Sequence, residues 1–442
     1  MRSLFLLGIY LFFVFAGLRA PFLLVLGYVW VDIFTPQLIS YGLLSYVPVS
    51  LILGLLTVVS VVMLPRNPDV RLRAVTVLVA LFAVWMTTTL AWAVLPEPAM
   101  EKWSWAIKSV SFSCLVPFFF RNRVQVEAFI WVIVLSGMGH CIPFAVKVLV
   151  SGGGYGRPLG LIAANSGYGE SSTLSMFAVS LVPMCMHLRA HSVLFARTRL
   201  FKLALLGFAV CGILTSLGTY ARTGLISLGV LACALVFFSK HRLIVMVLSV
   251  VFALGVGAFM GEGWSGRMST IADSSGESSA MGRVGVWLWT LDYVAKHPLG
   301  GSFEIYRINQ IDLELGSGEV LQAAGKAFHS VYFEILGETG VPGFILYLLI
   351  VATTLIGLLR IRSRAREPDA QWIRSLCDAV IVAALIFLAG GAFIGVGFSS
   401  YFYYLGAASA MLANVFDGYR RQRALDAAGA QAPANAATGR GR

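Results

Sequence analysis

Charged residues are scarce in this sequence. Asp, Glu, Lys and Arg together make up 12% of its 442 residues, whereas hydrophobic residues make up 58%, and the mean hydropathy is +0.82. In soluble globular domains about a quarter of the residues are charged. The composition therefore excludes an ordinary soluble domain and predicts a protein that crosses a membrane many times.

Cysteine motifs are missing as well. No CxxC pair occurs, no two cysteines share a polar loop, and all six lie within or beside apolar segments: Cys114, Cys141, Cys185, Cys211, Cys233 and Cys377. Such cysteines are typical of small buried hydrophobic residues, so the sequence predicts neither a disulfide framework nor a metal site. The first apolar run also lacks a small-residue cleavage site, and we expect it to insert directly without removal as a signal peptide.

Long apolar runs fill most of the chain instead. A transmembrane helix needs about 20 mostly apolar residues, and about twelve such segments recur here. We predict an all-α polytopic membrane protein, with the first nine or ten helices in residues 1–260 and the last in residues 340–418. Arg19 and Pro21 interrupt the first run, which is therefore one broken span or two short ones. Residues 419–442, rich in Ala, are predicted to form a disordered cytoplasmic tail.

Lys and Arg collect in every second connection between the apolar segments. The richest of these connections contains Arg360, Arg362, Arg364, Arg366 and Arg374. By the positive-inside rule, the basic connections face the cytoplasm. The net charge of +12 is therefore mostly a consequence of topology, and we predict no nucleic-acid partner.

The longest connection, residues 261–339, falls on the opposite, periplasmic side. It contains ten of the 21 acidic residues but five of the 33 basic ones. A connection of this length in a compact bundle is usually functional, and we expect residues 261–339 to form the functional loop. Apolar residues recur at helical spacing within it, at Val284, Trp287, Leu288, Leu291 and Val294. This pattern predicts an amphipathic helix whose apolar face rests on the bilayer or on the bundle.

Three residues on the outer side stand out. Arg222 lies in a tight turn between two apolar spans, and Arg283 starts the predicted helix, where its charge opposes the helix dipole. A diphosphate would make both positions favourable, because guanidinium groups and helix amino termini bind it together. His329 is one of two histidines in the long loop and precedes the span near residue 341. Each residue also has an alternative explanation. The Arg222 side chain would extend to the lipid headgroups, Arg283 would pair with an acidic residue of the loop, and His329 would have a structural role.

Three motifs follow one another on this side of the membrane. They are YARTG at 220–224, GRVGVWLWTLDYVAKHPLGG at 282–301 and FHSVYFEILGETGVPG at 328–343. With its motifs in this order, the chain resembles the O-antigen ligase and O-antigen polymerase superfamily. Members of that superfamily share many spans and one large periplasmic loop. The segment LGYVWVDIFTPQLISYGLLSYVPVSLILGLL is similar to the ligase-like branch found with exosortase-type polysaccharide loci. One departure is Tyr220-Ala221, where many relatives have a serine just before the arginine.

The resemblance implies a metal-independent, inverting glycosyltransferase with a GT-C-like fold in the bacterial inner membrane. Such an enzyme needs no cofactor and moves a polysaccharide from undecaprenyl diphosphate to a hydroxyl, which for ligases of lipopolysaccharide assembly belongs to lipid A core. His329 would take the proton of the acceptor hydroxyl. Arg222 and Arg283 would stabilise the departing diphosphate.

Five further residues are predicted to contact substrate: Arg157, Asn165, Tyr220, Trp287 and Tyr332. Arg157 and Asn165 lie in a glycine-rich connection whose backbone a ligand can approach closely, although such residues are at least as typical of an ordinary loop. The aromatic residues can stack on sugars, but aromatic residues at a membrane interface are more often anchors. Glu334 and Glu338 are not expected to assist His329, because their spacing turns them away from its helix face.

Four other functions remain open. A polymerase or a protein O-oligosaccharyltransferase would use the same chemistry and differ in its acceptor. A flippase for lipid-linked glycans would carry ionisable residues near the middle of several spans, whereas here they crowd one face. A metal-dependent oligosaccharyltransferase would need carboxylates clustered around Asp32, and the sequence has none beside it.

Overall fold

The protein is described by a computed structural model that covers residues 2–63, 70–151, 167–238, 242–259, 278–314 and 320–436. Within these ranges it is almost entirely helical. The helices are α1 (Arg2–Arg19), α2 (Phe22–Phe34), α3 (Pro36–Ile39), α4 (Leu43–Tyr46), α5 (Val49–Met63), α6 (Ala74–Thr88), α7 (Pro96–Leu115), α8 (Arg123–Ser151), α9 (Ser171–His191), α10 (Arg199–Gly218), α11 (Arg222–Phe238), α12 (Arg242–Phe259), α13 (Ser278–Lys296), α14 (Val331–Arg364), α15 (Gln371–Gly391) and α16 (Ser400–Ala436).

Several of these helices suit a membrane. Seven are long and apolar enough to cross one, namely α1, α6 with the turn that follows it, α8, α9, α10, α14 and α15. Four shorter apolar helices are α2, α5, α11 and the first part of α12. The predicted all-α polytopic membrane protein is thereby confirmed, while the count of about twelve spans stays a prediction.

The first apolar run consists of two helices. The chain breaks at Ala20-Pro21, between α1 and α2, because proline has no backbone N–H to donate within a helix. Gly17 lets the two helices approach closely, since a Cβ at this position would lie 2.5 Å from a methyl carbon of Leu24. The run therefore contains two helices, and whether they form one broken span or two spans stays a prediction.

Helix α9 occupies the centre of the bundle. It packs against α8, α10, α11 and α15, and most of its residues are buried. Polar contacts within this core are short: Ser180 Oγ donates to the Tyr401 hydroxyl at 2.8 Å, and the Ser175 and Ser216 hydroxyls lie 2.7 Å apart. Small residues allow this close packing in a bundle whose outer surface is apolar.

A small subdomain follows the described part of α12. It contains α13, a 3-10 turn at Ile305–Ile308 and an antiparallel hairpin of β1 (Gln310–Glu314) and β2 (Val320–Ala324), with Asp312 opposite Gln322. Its own apolar core joins Val286, Ile305, Ile311 and Phe328. The helix predicted within the long connection is thus present as α13.

The face of α13 that is buried differs from the predicted one. Val284, Leu288 and Leu291 are exposed, whereas Val286 and Val294 are buried. The reason is that α13 packs against β1 and α14 through the neighbouring face, so the predicted apolar stripe does not rest on the described bundle. An exposed apolar stripe of this kind agrees with the alternative prediction, in which this face of α13 rests on the bilayer.

The last helix is longer than expected. The structure has helix through Ala436, where the sequence predicts a disordered tail from residue 419. Alanine has the highest intrinsic helix propensity, and the helix gains polar contacts where it passes the α14–α15 connection. The Tyr419 hydroxyl donates to Asp369 at 3.2 Å, and Arg423 pairs with Glu367 at 3.1 Å.

Candidate functional site

Two of the sequence motifs interlock. The Pro298–Gly301 turn docks against the glycine-rich stretch of α14, where the Gly301 amide donates to the Gly337 carbonyl at 3.0 Å and the Val341 amide to the Pro298 carbonyl at 2.8 Å. Gly340 has φ 66° and kinks α14, and a Cβ there would lie 2.3 Å from the Leu299 carbonyl carbon. The two motifs therefore form one structural unit, in which glycine at position 340 is required by both conformation and space.

His329 lies immediately before α14 in an unusual backbone conformation. Its φ of 46° is in the left-handed region, which non-glycine residues seldom adopt. The preceding carbonyl, that of Phe328, accepts a hydrogen bond from the Trp287 indole at 2.9 Å, and the Trp287 ring stacks on Phe333 with centroids 5.1 Å apart. Trp287 thus fixes the backbone that carries His329, while the predicted sugar contact of Trp287 stays a prediction.

The surroundings of His329 lower the pKa of its imidazole. Burial lowers its pKa below the ordinary 6.5, and the positive charges of Arg283 and Lys326 lower it further. The carboxylates of Glu170 and Glu334 act in the opposite direction without reversing the shift. The predicted base and one of the two predicted arginines therefore interact electrostatically.

His329 lines a cavity of about 780 Å³. This volume is within the range of about 300–1,000 Å³ that small-molecule sites occupy. Around His329 the lining includes Glu304, Arg307, Phe328 and Glu334. A second group of lining residues comes from α2, α7 and the segment before α9, and comprises Tyr28, Asp32, Trp105, Tyr168 and Glu170. The cavity therefore joins the small subdomain to the amino-terminal helices.

A buried lysine binds three carboxylates at one side of this cavity. The Lys102 ammonium donates to Glu334 at 2.7 Å and to Glu338 at 2.8 Å, and Glu304 lies 3.6 Å away. The Gly397 amide donates to the second Glu334 oxygen at 2.7 Å. Removing one partner of such a buried cluster costs about 3–5 kcal/mol, because the remaining charges lose compensation. Lys102 thereby fixes α7 against α14 and the subdomain.

The Lys102 cluster was not predicted from the sequence. A signal existed, because Glu334 and Glu338 are four residues apart and share one helix face. The two glutamates bind Lys102, which is more than 230 residues away in sequence.

Arg222 starts α11 after a tight turn. Tyr220 in that turn has φ 54°, and Gly224 packs against Ser175 and Ser216, near the start of α9. The turn therefore lies at the end of the bundle where Glu170, just before α9, lines the cavity. Neither Arg222 nor Arg283 is among the described residues that line the cavity.

Tyr332 anchors α14 to its neighbour. Its hydroxyl donates to the Leu388 carbonyl of α15 at 3.0 Å, and the side chain is half-buried. Two other predicted substrate contacts, Arg157 and Asn165, lie outside the described residues. The predicted roles of Tyr220 and Tyr332 as sugar contacts stay predictions.

Asp32 lines the cavity from the end of α2. Its carboxylate accepts a hydrogen bond from the Tyr404 hydroxyl at 2.9 Å. The metal-dependent alternative would require further carboxylates around Asp32. Within the described ranges, no three His, Cys, Asp or Glu side chains are grouped in a way that would hold a metal ion.

Two family models match the chain. Residues 1–193 match a family of unknown function (DUF5935), and residues 207–348 match the family described as O-Antigen ligase. No curated protein matches the chain. The second match contains all three motifs, including the two that interlock around His329. The match over residues 207–348, about a third of the chain, supports the O-antigen ligase and polymerase superfamily.

Proposed function

We propose that the protein is an O-antigen ligase. In this proposal it is a metal-independent, inverting glycosyltransferase of the bacterial inner membrane that acts at the periplasmic face. It moves a polysaccharide from undecaprenyl diphosphate to a hydroxyl of lipid A core. The observation that carries the proposal is His329, an imidazole with a lowered pKa on the wall of a ligand-sized cavity, held by two motifs of the matched family.

The transfer is a single displacement. The acceptor oxygen attacks the anomeric carbon as the bond from that carbon to the diphosphate oxygen breaks, which inverts the anomeric configuration. The imidazole of His329 accepts the proton of the attacking hydroxyl. A base with a lowered pKa is unprotonated at neutral pH, so the shift of His329 supports this role.

The arginines act on the leaving group. The departing lipid diphosphate gains negative charge, which Arg283 and Arg222 stabilise as fixed guanidinium donors. The electrostatic effect of Arg283 on His329 supports a site in which base and leaving group are close together. Arg222 is the first residue of α11, where the helix amino terminus adds N–H groups for the same anion.

Backbone strain at His329 also supports the proposal. A non-glycine residue with positive φ costs about 1–3 kcal/mol, and such strain collects at functional sites where the surrounding structure maintains it. Here the Trp287 hydrogen bond and the start of α14 maintain it.

A polymerase and a protein O-oligosaccharyltransferase share this chemistry, so the acceptor decides between them. The test uses the purified full-length protein, an undecaprenyl-diphosphate-linked glycan and three acceptors in parallel: lipid A core, a second lipid-linked glycan and a pilin-type protein. We expect product on lipid A core, with inverted anomeric configuration by NMR. Product on the second glycan alone would indicate a polymerase, and product on the protein alone would indicate a protein transferase.

The same assay tests the arginine mechanism. Because the proposed leaving-group stabilisation uses guanidinium groups, transfer should continue in excess EDTA. Loss of transfer in EDTA that Mg²⁺ or Mn²⁺ restores would contradict the proposal and direct attention to Asp32.

A further inference from the structure

The turn between α2 and α3 carries polar groups that face the cavity. Thr35 lies in this turn with φ 50°, although a β-branched residue strongly disfavours a positive φ. Its side chain is 9% exposed, and its hydroxyl has no hydrogen-bond partner among the described residues. A buried hydroxyl without a partner costs free energy unless a ligand or water satisfies it. Strain and an unsatisfied hydroxyl at one residue indicate a binding function.

Neighbouring side chains extend this polar surface. The Gln37 amide oxygen is buried and likewise has no partner in the described part of the chain. Asp32, one helical turn before Thr35, adds a carboxylate that also lines the cavity. Hydroxyl, amide oxygen and carboxylate together are the groups that bind the several hydroxyls of a sugar. Trp105 and Tyr168, which line the same cavity, add rings on which a sugar can stack.

The turn is held in place by α8. The His140 Nε2 atom lies 2.9 Å from the Ile33 carbonyl oxygen, a geometry in which the ring N–H donates to it. The Phe34 ring fits against Gly139, where a Cβ would lie 2.4 Å from a ring carbon. Pro36 then starts α3. The strained turn is therefore preorganised.

The charges of the cavity favour an uncharged ligand beside this turn. The described lining contains five acidic side chains and three basic ones. Two of the basic residues, Lys102 and Arg307, already bind glutamates of the same lining. In the described lining this leaves three carboxylates and one lysine, and such a surplus of carboxylates would repel a phosphorylated sugar or a uronic acid.

We propose that the Asp32–Gln37 turn is the subsite for the acceptor, and that the acceptor is an uncharged hexose. This assignment rests on the proposed transferase function. The donor is held through its diphosphate by Arg222 and Arg283, so the hexose bound by the turn presents its hydroxyl to His329 in the same cavity. The amino-terminal region, which matches a family of unknown function, would thereby supply acceptor specificity.

Saturation-transfer-difference NMR on the full-length protein in zwitterionic lipid nanodiscs tests the subsite directly. The probes are methyl glucoside, methyl galactoside and methyl N-acetylglucosaminide, with glucose 6-phosphate and glucuronic acid as anionic counterparts. We expect saturation transfer to at least one uncharged hexoside and to neither anionic sugar. Binding of the anionic sugars alone, or of no uncharged hexoside, would overturn the proposal.

Variants then locate the binding. Thr35→Val keeps the β-branched shape and removes the hydroxyl, and Gln37→Leu removes the amide, so each should weaken hexoside binding about five- to tenfold. Thr88→Val, the same change on the exposed side of α6, should leave it unchanged. Because Gln37 lies at a partly exposed position, its variant remains informative if Thr35→Val fails to fold. Unchanged binding in folded variants would overturn the proposal.

Transfer kinetics separate this inference from the proposed function. Thr35→Val should raise the KM for the acceptor glycan about five- to tenfold while the KM for the lipid-linked donor stays constant. A rise in the donor KM alone would show that the turn binds the donor sugar and would overturn the assignment. A wild-type protein that binds hexosides through Thr35 but transfers no glycan would instead contradict the proposed function.

Discussion

At His329, four charged side chains act on one imidazole in opposite directions. Arg283 and Lys326 lower its pKa, and Glu170 and Glu334 raise it, while burial makes the largest contribution and lowers it. The net shift is downward, so His329 loses its proton at a lower pH than an ordinary histidine. A general base is active in its neutral form, and the rate should therefore reach half its maximum at a pH below 6.5.

This charge balance predicts how substitutions move the pH dependence of kcat. Lys326→Met removes a positive neighbour, which raises the pKa of His329 and moves the acidic limb to higher pH. Glu170→Gln removes a negative neighbour and should move the limb to lower pH. The measurement is kcat against pH at saturating donor and acceptor, with Lys296→Met as control, since that exposed lysine pairs with Asp292. Shifts of the same sign in both variants would contradict the assigned base.

Removing the predicted base and the predicted arginines should have different effects. His329→Ala should cut transfer by about 10²- to 10⁴-fold, the usual contribution of a general base, while donor binding persists. Arg222→Ala and Arg283→Ala should weaken donor binding as well as turnover, because a guanidinium group binds the diphosphate before and during the reaction. Arg→Lys should restore activity in part, since lysine keeps the charge without the planar fork.

Equilibrium binding of the lipid-linked donor, measured beside the transfer rate, separates these cases. Near-normal turnover of His329→Ala together with inactive arginine variants would reject the base but keep a diphosphate site. Normal behaviour of all three alanine variants would return these residues to structural roles.

At the scale of elements, the docking of the Pro298–Gly301 turn on α14 holds the motifs in register. Gly300, with φ 76°, and Gly340, with φ 66°, face each other so closely that a Cβ on Gly300 would lie 2.4 Å from the Gly340 amide nitrogen. No other residue type fits such positions without moving the backbone. The position of His329, eleven residues before the kink, therefore depends on this docking.

Gly340→Ala should destabilise the protein and impair transfer. The added methyl group meets the Pro298 carbonyl oxygen at 2.4 Å and forces alanine to adopt a positive φ. Strain and overpacking together predict a loss of about 2–4 kcal/mol in unfolding free energy. The control is Gly229→Ala in α11, where nothing lies within 4 Å of the added Cβ. Thermal unfolding in detergent measures both, and equal melting temperatures would contradict the interlocked turn.

At the scale of the whole molecule, the distribution of basic residues predicts orientation. The basic connections, including the one after α14, should face the cytoplasm, and residues 261–339 the periplasm. Ser363, in the last turn of α14, is exposed and suits a test of the cytoplasmic side. The proposed chemistry requires this orientation, because the lipid-linked polysaccharide and lipid A core meet on the periplasmic side.

A labelling experiment checks the orientation. In a background without the six native cysteines, Ser274→Cys should react with an impermeant thiol reagent in intact cells whose outer membrane admits it. Ser363→Cys should react only after the inner membrane is permeabilised. The unsubstituted background serves as control, and the reverse pattern would reject both the orientation and a periplasmic site.

The sequence by itself determined the class of protein, the helices and the family. Apolar length is a local property, and each helix satisfies its own backbone hydrogen bonds, so the described apolar helices follow from the sequence. The three motifs indicated the superfamily, because their order can be read directly from the sequence. Even the helix at 278–296 was predictable from its spacing, although the face that it buries was not.

Only the tertiary structure decided which side chains meet. Asp32 and Tyr404 are 372 residues apart, and Lys102 is 236 residues from Glu338, so no local pattern pairs them. Trp287 is a sugar-stacking candidate by residue type, yet its indole N–H holds the backbone before His329. The physical reason is that charges and hydrogen-bond donors act over a few ångströms in space, and chain folding alone sets which of them come that close.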